Sequence, residues 1–266
     1  MKKLAKNTLI LSTVITSILP TPSHANDGEY IKITTEPNQS DAEVVEVSAL
    51  NNSSSNPDII LRPGEFPNKP GKRLIVNPSE DYNGLPVRYD KEHDNYYIPE
   101  YYFNKKIAEE LYKYLKDNGV NVILQTTKDK SEDLNSAGRI AKAKHPTLYL
   151  SIHTNSYDSK SSGYFFLTNV NDTKSSRAAQ RFSYALKDNK LVPQRENRRN
   201  VNNYIGELNE KPGQINILGE FGFALSNKEE AKNVASDEYV DYIAKHLGDE
   251  IILILQEFKD GKLGDK

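Results

Sequence analysis

Three short apolar segments are each followed by a side chain that could take part in hydrolysis. These side chains are Glu80 after "RLIV", His153 after "LYLSI" and Glu220 after "INILG". A fourth carboxylate, Glu100, opens an amphipathic segment. Because the chain contains no cysteine, a metal bound by this set would be held by imidazole and carboxylate groups. Histidine and glutamate together are typical of a hydrolytic zinc site, where three protein ligands leave one position for water.

Each of these four residues also has a structural explanation when taken alone. A histidine at a strand end is commonly a hydrogen-bonded surface group, and Glu100 suits the positive end of a helix dipole. Glu220 is harder to explain in this way, because apolar residues flank it on both sides and an ionised carboxylate there needs a partner. Taken together, the four residues favour a shared metal or catalytic site.

The segments that would position these residues alternate between strand and helix after Lys72. Apolar residues four apart in "YFNKKIAEELYKYLKDNG" predict a helix that ends at Gly119. We therefore predict an α/β fold, a single three-layer domain over residues 71–259 with a mostly parallel central sheet of about six strands flanked by helices. Residues 260–266 would form a disordered tail. In such sheets, functional sites lie at the carboxyl ends of the strands.

The first 70 residues have a different composition. Residues 1–25 place three lysines ahead of an apolar run and end in small residues, which predicts a secretory signal peptide cleaved after Ala25. The apolar run is shorter than the roughly 20 residues that a bilayer span needs, so an uncleaved anchor is the less favoured alternative. Residues 26–70 are acidic and rich in Ser, Asn and Pro, which predicts a flexible spacer.

The charge balance disfavours nucleic acid as a partner. Cleavage after Ala25 would leave 32 basic and 37 acidic residues, a net charge of −5. Proteins that bind nucleic acid use basic surfaces to neutralise phosphates. We also expect no integral membrane span after signal cleavage, and a monomer.

Several motifs resemble those of the zinc-dependent N-acetylmuramoyl-L-alanine amidases of bacterial cell walls, in the type 3 catalytic domain. The matching segments are "EYYFN", which begins at Glu100, "LYLSIHTNS" and "ILGEFGFALSNKEEA". The resemblance covers about residues 73–258 and implies that Glu100 and His153 bind zinc while Glu220 is the catalytic carboxylate. It also implies that the substrate is peptidoglycan, cut at the amide between N-acetylmuramic acid and L-alanine of the stem peptide, by a secreted, cell-wall-associated enzyme.

The chain departs from the family at the first zinc ligand, where the family has His after Asp-Pro-Gly. Aligning Asn77-Pro78 on Asp-Pro puts Glu80 in the position of that histidine. Glu80 would then bind the ion directly, in a site that also suits divalent metals other than zinc. His93 is the alternative ligand. We favour a working but atypical metal site, and the alternative is an inactive amidase-like protein that binds peptidoglycan or regulates its hydrolysis.

Substrate contacts are predicted from the basic segment "QRENRRNVNNY". Its arginines Arg195, Arg198 and Arg199 would hold carboxylates of the stem peptide, because the planar guanidinium suits carboxylates. A solvated loop is the structural alternative for this segment. Asn155 is a further substrate-binding candidate. A glycosidase that uses Glu100 and Glu220 is another enzyme hypothesis, but it leaves the histidine without a role.

Overall fold

A computed structural model describes residues 30–31, 45–46, 56–65, 72–126, 134–200 and 205–262 of the 266-residue chain. The predicted signal peptide, much of the predicted spacer and the last four residues of the predicted tail lie outside the described residues. None of the helices in the described ranges has the length and apolar character needed to cross a membrane.

Within the described residues, seven strands form a central sheet. In spatial order they are β10 (Arg198–Asn200), β9 (Phe165–Asn169), β11 (Ile215–Glu220), β8 (Leu148–His153), β3 (Ile59–Pro63), β7 (Val122–Thr126) and β2 (Val45–Glu46). Neighbouring strands are parallel except for β9 and β11, which pair antiparallel. The predicted mostly parallel α/β sheet is confirmed, and six of its strands are longer than two residues.

Six helices lie in the described residues, and most of them cover the two faces of this sheet. They are α1 (Glu100–Asp117), α2 (Leu134–Lys142), α3 (Thr173–Ala185), α4 (Gly206–Asn209), α5 (Lys228–Ala235) and α6 (Asp237–Lys259). The largest core cluster packs side chains of α1, α3, α5 and α6 against one face of the sheet. Two smaller clusters contain residues from α2 and α4.

Alternation along the strands decides which face each side chain joins. Ile59 and Leu61 belong to the large cluster, whereas Ile60 between them belongs to a small one with Tyr149. The same period of two applies along β8, where Leu148 and Leu150 lie in the large cluster. It follows that His153, four residues after Tyr149, projects from the sheet on the side of α2 and α4.

The predicted spacer contains an internal strand of the parallel sheet. Strand β3 lies inside residues 26–70 and pairs with β8 on one side and β7 on the other. Ile59, Ile60 and Leu61 expose none of their surface. The prediction of a flexible spacer is therefore wrong for residues 59–63, and the domain begins before residue 71. A strand buried on both faces reads as a short continuous apolar run, and here polar residues on both sides hid it.

A second, antiparallel sheet was not predicted. Its order is β1 (Tyr30–Ile31), β5 (Val87–Asp90), β6 (Asn95–Pro99) and β4 (Arg73–Val76). Strands β5 and β6 form a hairpin whose turn contains Asp94 with a φ of 48°. "RLIV" is thus a strand, as expected, but it belongs to this sheet and not to the parallel one.

Candidate metal centre

Three adjacent strands bring polar side chains to one edge of the parallel sheet. His153 ends β8 and lies in register with Glu220, which ends β11. On the other side of β8, Pro63 ends β3 opposite Ile152, and Glu65 follows two residues later. Parallel strands place their carboxyl ends together, which is why residues far apart in sequence meet here.

Glu65, Glu100 and His153 lie close enough to share one metal ion. Each of them offers a ligand atom, and these atoms lie within 4.8 Å of one another. Oε1 of Glu100 is 3.0 Å from Nδ1 of His153. Two ligands of one tetrahedral zinc, each about 2.0–2.2 Å from the ion, lie roughly 3.3–3.6 Å apart, so only a small adjustment separates the two atoms from metal-binding distance.

An unpartnered oxygen supports the same interpretation. Oε2 of Glu100 is buried and has no hydrogen-bond partner among the described residues. Buried carboxylate oxygens without a donor are costly unless a cation or water satisfies them. The donor set of one imidazole and two carboxylates is also one that zinc and harder divalent ions accept. The residues present therefore fit a divalent metal.

The backbone just after β3 passes directly beside the imidazole. A Cβ atom added at Gly64 would lie 2.2–2.4 Å from ring atoms of His153, so a side chain has no room there. The next residue, Glu65, has a φ of 62°, a left-handed conformation that is uncommon for residues other than glycine. Strained backbone of this kind clusters at functional sites. Together the two residues bring a third carboxylate to the histidine.

Asn104 holds both the first carboxylate and the loop after β3. It lies one turn after Glu100 on α1, and its Nδ2 donates to Oε1 of Glu100 at 3.2 Å and to the carbonyl of Gly64 at 3.0 Å. The backbone N–H of Thr154 also donates to Oε1 of Glu100, at 3.4 Å. The start of α1 is thereby fixed over the ends of β3 and β8.

Glu207 is a buried member of the site that no sequence pattern indicated. It lies on the short helix α4, exposes none of its surface, and its Oε1 is 2.9 Å from Nε2 of His153. Its Oε2 accepts from the hydroxyl of Tyr149 at 2.9 Å and from Nη1 of Arg62 at 3.3 Å. Burial acts to raise the pKa of Glu207, but the positive charge of Arg62 and the bond to His153 lower it to about 2.

The two glutamates that flank His153 also control its protonation. Burial acts to lower the pKa of His153, but the hydrogen bonds to Glu100 and Glu207 outweigh it and raise the pKa to about 10. An ion that binds at Nδ1 therefore has to displace a proton, as is general for histidine ligands.

Glu220 is a buried carboxyl group whose pKa is raised. Only 9% of its surface is exposed, and burial raises its pKa to about 7 even though the charge of His153 opposes the rise. Its Oε2 is buried with no hydrogen-bond partner in the described part of the chain. A carboxyl group whose pKa lies near 7 can both accept and return a proton at neutral pH.

The structure places neither Glu80 nor His93 in this group. Glu80 follows β4 in the antiparallel sheet, where it accepts from the hydroxyl of Tyr82 at 2.7 Å. His93 lies in the turn between β5 and β6, with Nδ1 2.9 Å from Asp90 and 55% of its side chain exposed. The expected alignment of residues 77–80 with the first zinc-ligand motif is wrong, because the strand that ends at the candidate site is β3 and not β4.

Residues 62–65, "RPGE", contain the Pro-Gly pair of the Asp-Pro-Gly-His motif expected from the resemblance, with Arg62 before the pair and Glu65 after it. The pair was visible in the sequence, and the polar composition around it concealed it.

A cleft of about 410 Å³ lies at the segments that follow β8 and β11, two of the strands that end at the candidate metal centre. It is lined by Asn155, Ser156, Tyr157, Ser161, Arg195, Arg198 and Phe223. Asn155 follows His153 by two residues and Phe223 follows Glu220 by three, so the cleft and the centre share two strand ends. The guanidinium of Arg195 lies 5.1 Å from the Phe223 ring centroid.

Three of the four predicted substrate-binding residues line this cleft. Arg199 is not among its lining residues, and it donates to the hydroxyl of Ser176 on α3 instead. Arg198 lies over the ring of Phe165, with 4.7 Å between guanidinium carbon and ring centroid. Such stacking fixes the plane of a guanidinium while its N–H groups stay available.

A mostly parallel α/β sheet with an imidazole and several carboxylates at its carboxyl edge is an arrangement that suits a metal-dependent hydrolase. Residues 88–252 match the family model described as N-acetylmuramoyl-L-alanine amidase, and the chain belongs to that family. Its members cut the amide between N-acetylmuramic acid and L-alanine in peptidoglycan. No curated protein is significantly similar to the chain in sequence.

Solved structures of amidases share the fold. The amidase AmiC2 of Nostoc punctiforme is 20% identical with a TM-score of 0.56, covering 77% of this chain and 99% of that one. An N-acetylmuramoyl-L-alanine amidase from Clostridium difficile 630 is 20% identical with a TM-score of 0.58, covering 76% and 98%. The catalytic domain of CwlV from Bacillus (Paenibacillus) polymyxa var. colistinus is 20% identical with a TM-score of 0.53, covering 74% and 97%.

Proposed function

We propose that this chain cleaves the amide between N-acetylmuramic acid and L-alanine with a divalent metal held by Glu65, Glu100 and His153. The observation that carries the proposal is the convergence of these three side chains on one point at the carboxyl edge of the sheet. Membership of the amidase family supplies the substrate class. Zinc is the expected ion, and two carboxylates beside one imidazole also suit a harder ion such as Mn²⁺.

The reaction needs a base for water and an acid for the leaving amine. When bound, the ion supplies Lewis acidity, which lowers the pKa of water at the site and polarises the amide carbonyl. Glu220 accepts the proton of the attacking water at its carboxylate and then donates it to the nitrogen of the departing L-alanine. Its pKa of about 7 suits both steps, since neither protonation state is strongly favoured at neutral pH.

Substrate contact is assigned to the cleft beside the centre. Arg195 and Arg198 would pair with carboxylates of the stem peptide, and Asn155 would hydrogen-bond its backbone. The substrate contact predicted for Arg199 is not supported by the lining of the cleft.

The site of action follows from the substrate. Peptidoglycan lies outside the cytoplasmic membrane, and the pattern of residues 1–25 is that of a signal peptide cleaved after Ala25. We therefore propose a secreted, cell-wall-associated enzyme that acts as a monomer.

The test is incubation of the chain from Asn26 onward with purified peptidoglycan, first stripped of metal and then with Zn²⁺ or Mn²⁺ restored. Mass spectrometry of the products should show intact stem peptides with a free L-alanine amine, and only when metal is present. New reducing sugar ends would instead indicate a glycosidase. Binding to peptidoglycan without cleavage under either ion would overturn the proposal and favour an inactive binding protein.

Two matched variants locate the ligand. Glu65→Ala should lose bound metal and cleavage, whereas Glu80→Ala should retain both, because Glu80 hydrogen-bonds Tyr82 in the other sheet. Loss of metal from Glu80→Ala with full retention in Glu65→Ala would show that the ligand assignment is incorrect.

A further inference from the structure

The cleft is lined by three segments that lie far apart in sequence. Residues 155–161 follow β8, Phe223 follows β11, and Arg195 precedes β10. Backbone hydrogen bonds join the first two segments, because the N–H of Asn155 donates to the carbonyl of Gly222 at 2.7 Å. The shape of the cleft therefore depends on how these segments are held together.

A buried carboxylate on α5 connects the same segments. Glu230 exposes only 2% of its surface. Its Oε1 accepts from the backbone N–H of Phe223 at 2.7 Å and from the backbone N–H of Gly163 at 2.9 Å. Phe223 belongs to the loop after β11, and Gly163 ends the loop between β8 and β9. One oxygen atom thus ties two loops of the cleft to each other.

Both of these bonds act on residues that contact Arg195. The guanidinium of Arg195 lies 5.1 Å from the centroid of the Phe223 ring, and its Nη1 donates to the carbonyl of Ser162 at 3.1 Å. A Cβ atom added at Gly163 would lie 2.7 Å from Cγ of Arg195, so the stem of the arginine packs directly against that glycine. Glu230 therefore fixes the backbone on two sides of the arginine.

The other oxygen of Glu230 shows what this position requires. Oε2 is buried with no hydrogen-bond partner among the described residues, and within the same ranges Glu230 forms no ion pair. A buried carboxylate without a cation is costly, so its charge is a poor source of stability. The structure uses it as a single oxygen that accepts two N–H bonds at a defined place.

We propose that Glu230 is a positioning residue for substrate, which holds the guanidinium of Arg195 where it pairs with a carboxylate of the stem peptide. The inference rests on the proposed substrate contact of Arg195. Glu230 itself is not among the lining residues of the cleft, so it acts through the arginine. Since β8 and β11 pair in register as far as His153 and Glu220, loss of Glu230 should disturb the cleft more than the catalytic carboxylate.

Glu230→Ala removes the acceptor of both N–H groups. It should raise the KM for a soluble peptidoglycan fragment about 10- to 100-fold, the range expected when a hydrogen bond to a charged group is lost, whereas kcat should change little. Glu230→Gln keeps one oxygen that can accept both bonds, and it should retain most of the affinity. Glu230→Asp is one methylene shorter and should raise KM as well, which keeps the test decisive if the alanine variant does not fold.

Arg195→Ala separates positioning from general damage. If Glu230 acts through Arg195, then Glu230→Ala should raise KM no further in the Arg195→Ala background, because interacting residues are not additive. A full additional rise in that background would overturn the proposal. Glu229→Ala is the matched control, since Glu229 is the exposed neighbour on the same helix, and it should leave KM unchanged.

A second readout does not require cleavage. Calorimetry should show that a synthetic stem peptide, beginning with L-alanine and carrying free carboxylates, binds Glu230→Ala more weakly than the unsubstituted chain. With the carboxylates of the peptide amidated, the two chains should bind it equally, because the pairing with Arg195 is then absent. A loss of affinity that is the same for both peptides would contradict a role through the arginine.

The two proposals fail in different ways. If the unsubstituted chain binds the peptide but does not cleave peptidoglycan, the proposed hydrolysis is overturned and the variants still decide the positioning role through the Kd. If it cleaves, and Glu230→Ala keeps its KM while losing only thermal stability, the positioning role alone is overturned. Neither binding nor cleavage by the unsubstituted chain would overturn both.

Discussion

A chain that begins at residue 71 should not fold, whereas a chain that begins at Asn56 should. The first lacks β3, whose residues Ile59, Ile60 and Leu61 expose none of their surface. Burial of one aliphatic side chain contributes about 1.5–3 kcal/mol, so the three contribute roughly 5–9 kcal/mol. This matches the whole free energy of unfolding of a typical domain, about 5–15 kcal/mol.

The loss of hydrogen bonding adds to this deficit. Strand β3 joins β8, with five residue pairs in register, to β7, with three. Without it the sheet is divided, and two strands that are buried along their length present open edges, which favours aggregation.

Thermal unfolding followed by circular dichroism, together with amide dispersion in NMR spectra, separates the two chains. The chain from Asn56 should unfold cooperatively, and the chain from residue 71 should show no transition. In the full chain, Leu61→Ala should cost about 2–5 kcal/mol. Ile75→Ala on β4 is the control, because Ile75 is 45% exposed and its loss should cost much less. Cooperative unfolding of the chain from residue 71 at a similar temperature would refute the central position of β3.

Three further predictions concern the metal centre. Gly64→Ala should displace the His153 ring and lower zinc affinity at least about tenfold in chelator competition, because the new Cβ would lie 2.2 Å from a ring atom. Glu65→His should raise the affinity for Zn²⁺ relative to that for Mn²⁺. The same ratio of the two affinities in the variant and in the unsubstituted chain would contradict the role of Glu65 as a ligand. Glu220→Gln should abolish cleavage but stabilise the metal-free chain by up to about 3 kcal/mol above pH 7, measured by urea unfolding. The pKa of Glu220 in the folded chain, about 7, exceeds its ordinary value of 4.5. Ionisation of this buried carboxyl therefore lowers the stability of the folded chain fully above pH 7 and not at all below about pH 4.5. An equal stabilisation by Glu220→Gln at pH 4 would contradict this explanation.

Features that depend on neighbouring residues along the chain were predictable. The 3.6-residue period of α1 and the apolar runs of β8 and β11 are local patterns, and they placed His153 and Glu220 at strand ends. The chemistry of the site followed from these ends, because parallel strands finish at a common edge. Prediction therefore succeeded for the strands whose neighbours in sequence are helices of the same domain.

Pairing between distant segments was not predictable in the same way. "IILRP" and "RLIV" are both short apolar segments. No local property shows that the first lies inside the mostly parallel sheet and the second in the antiparallel sheet. The choice between Glu65 and Glu80 depended on that pairing. The buried contacts of Glu207 are with partners 54 and 145 residues away, and in the sequence alone it resembles an ordinary surface glutamate of a polar segment.

The charges around the candidate centre are compatible with the proposed role of Glu65 as a metal ligand. The charged groups that act on the candidate centre include Glu65, Glu100, Glu207, Glu220, Arg62, His153 and Lys72. With all four carboxylates ionised and His153 protonated, their formal sum is −1, which a divalent cation would offset. If a bound ion displaced the proton of His153, the sum including the ion would be zero, and it would stay at zero when Glu220 takes a proton from water, because the hydroxide left behind carries the opposite charge. A site in which two carboxylates and one imidazole held the ion would thus be close to electroneutral, in part because Arg62 offsets the charge of Glu207.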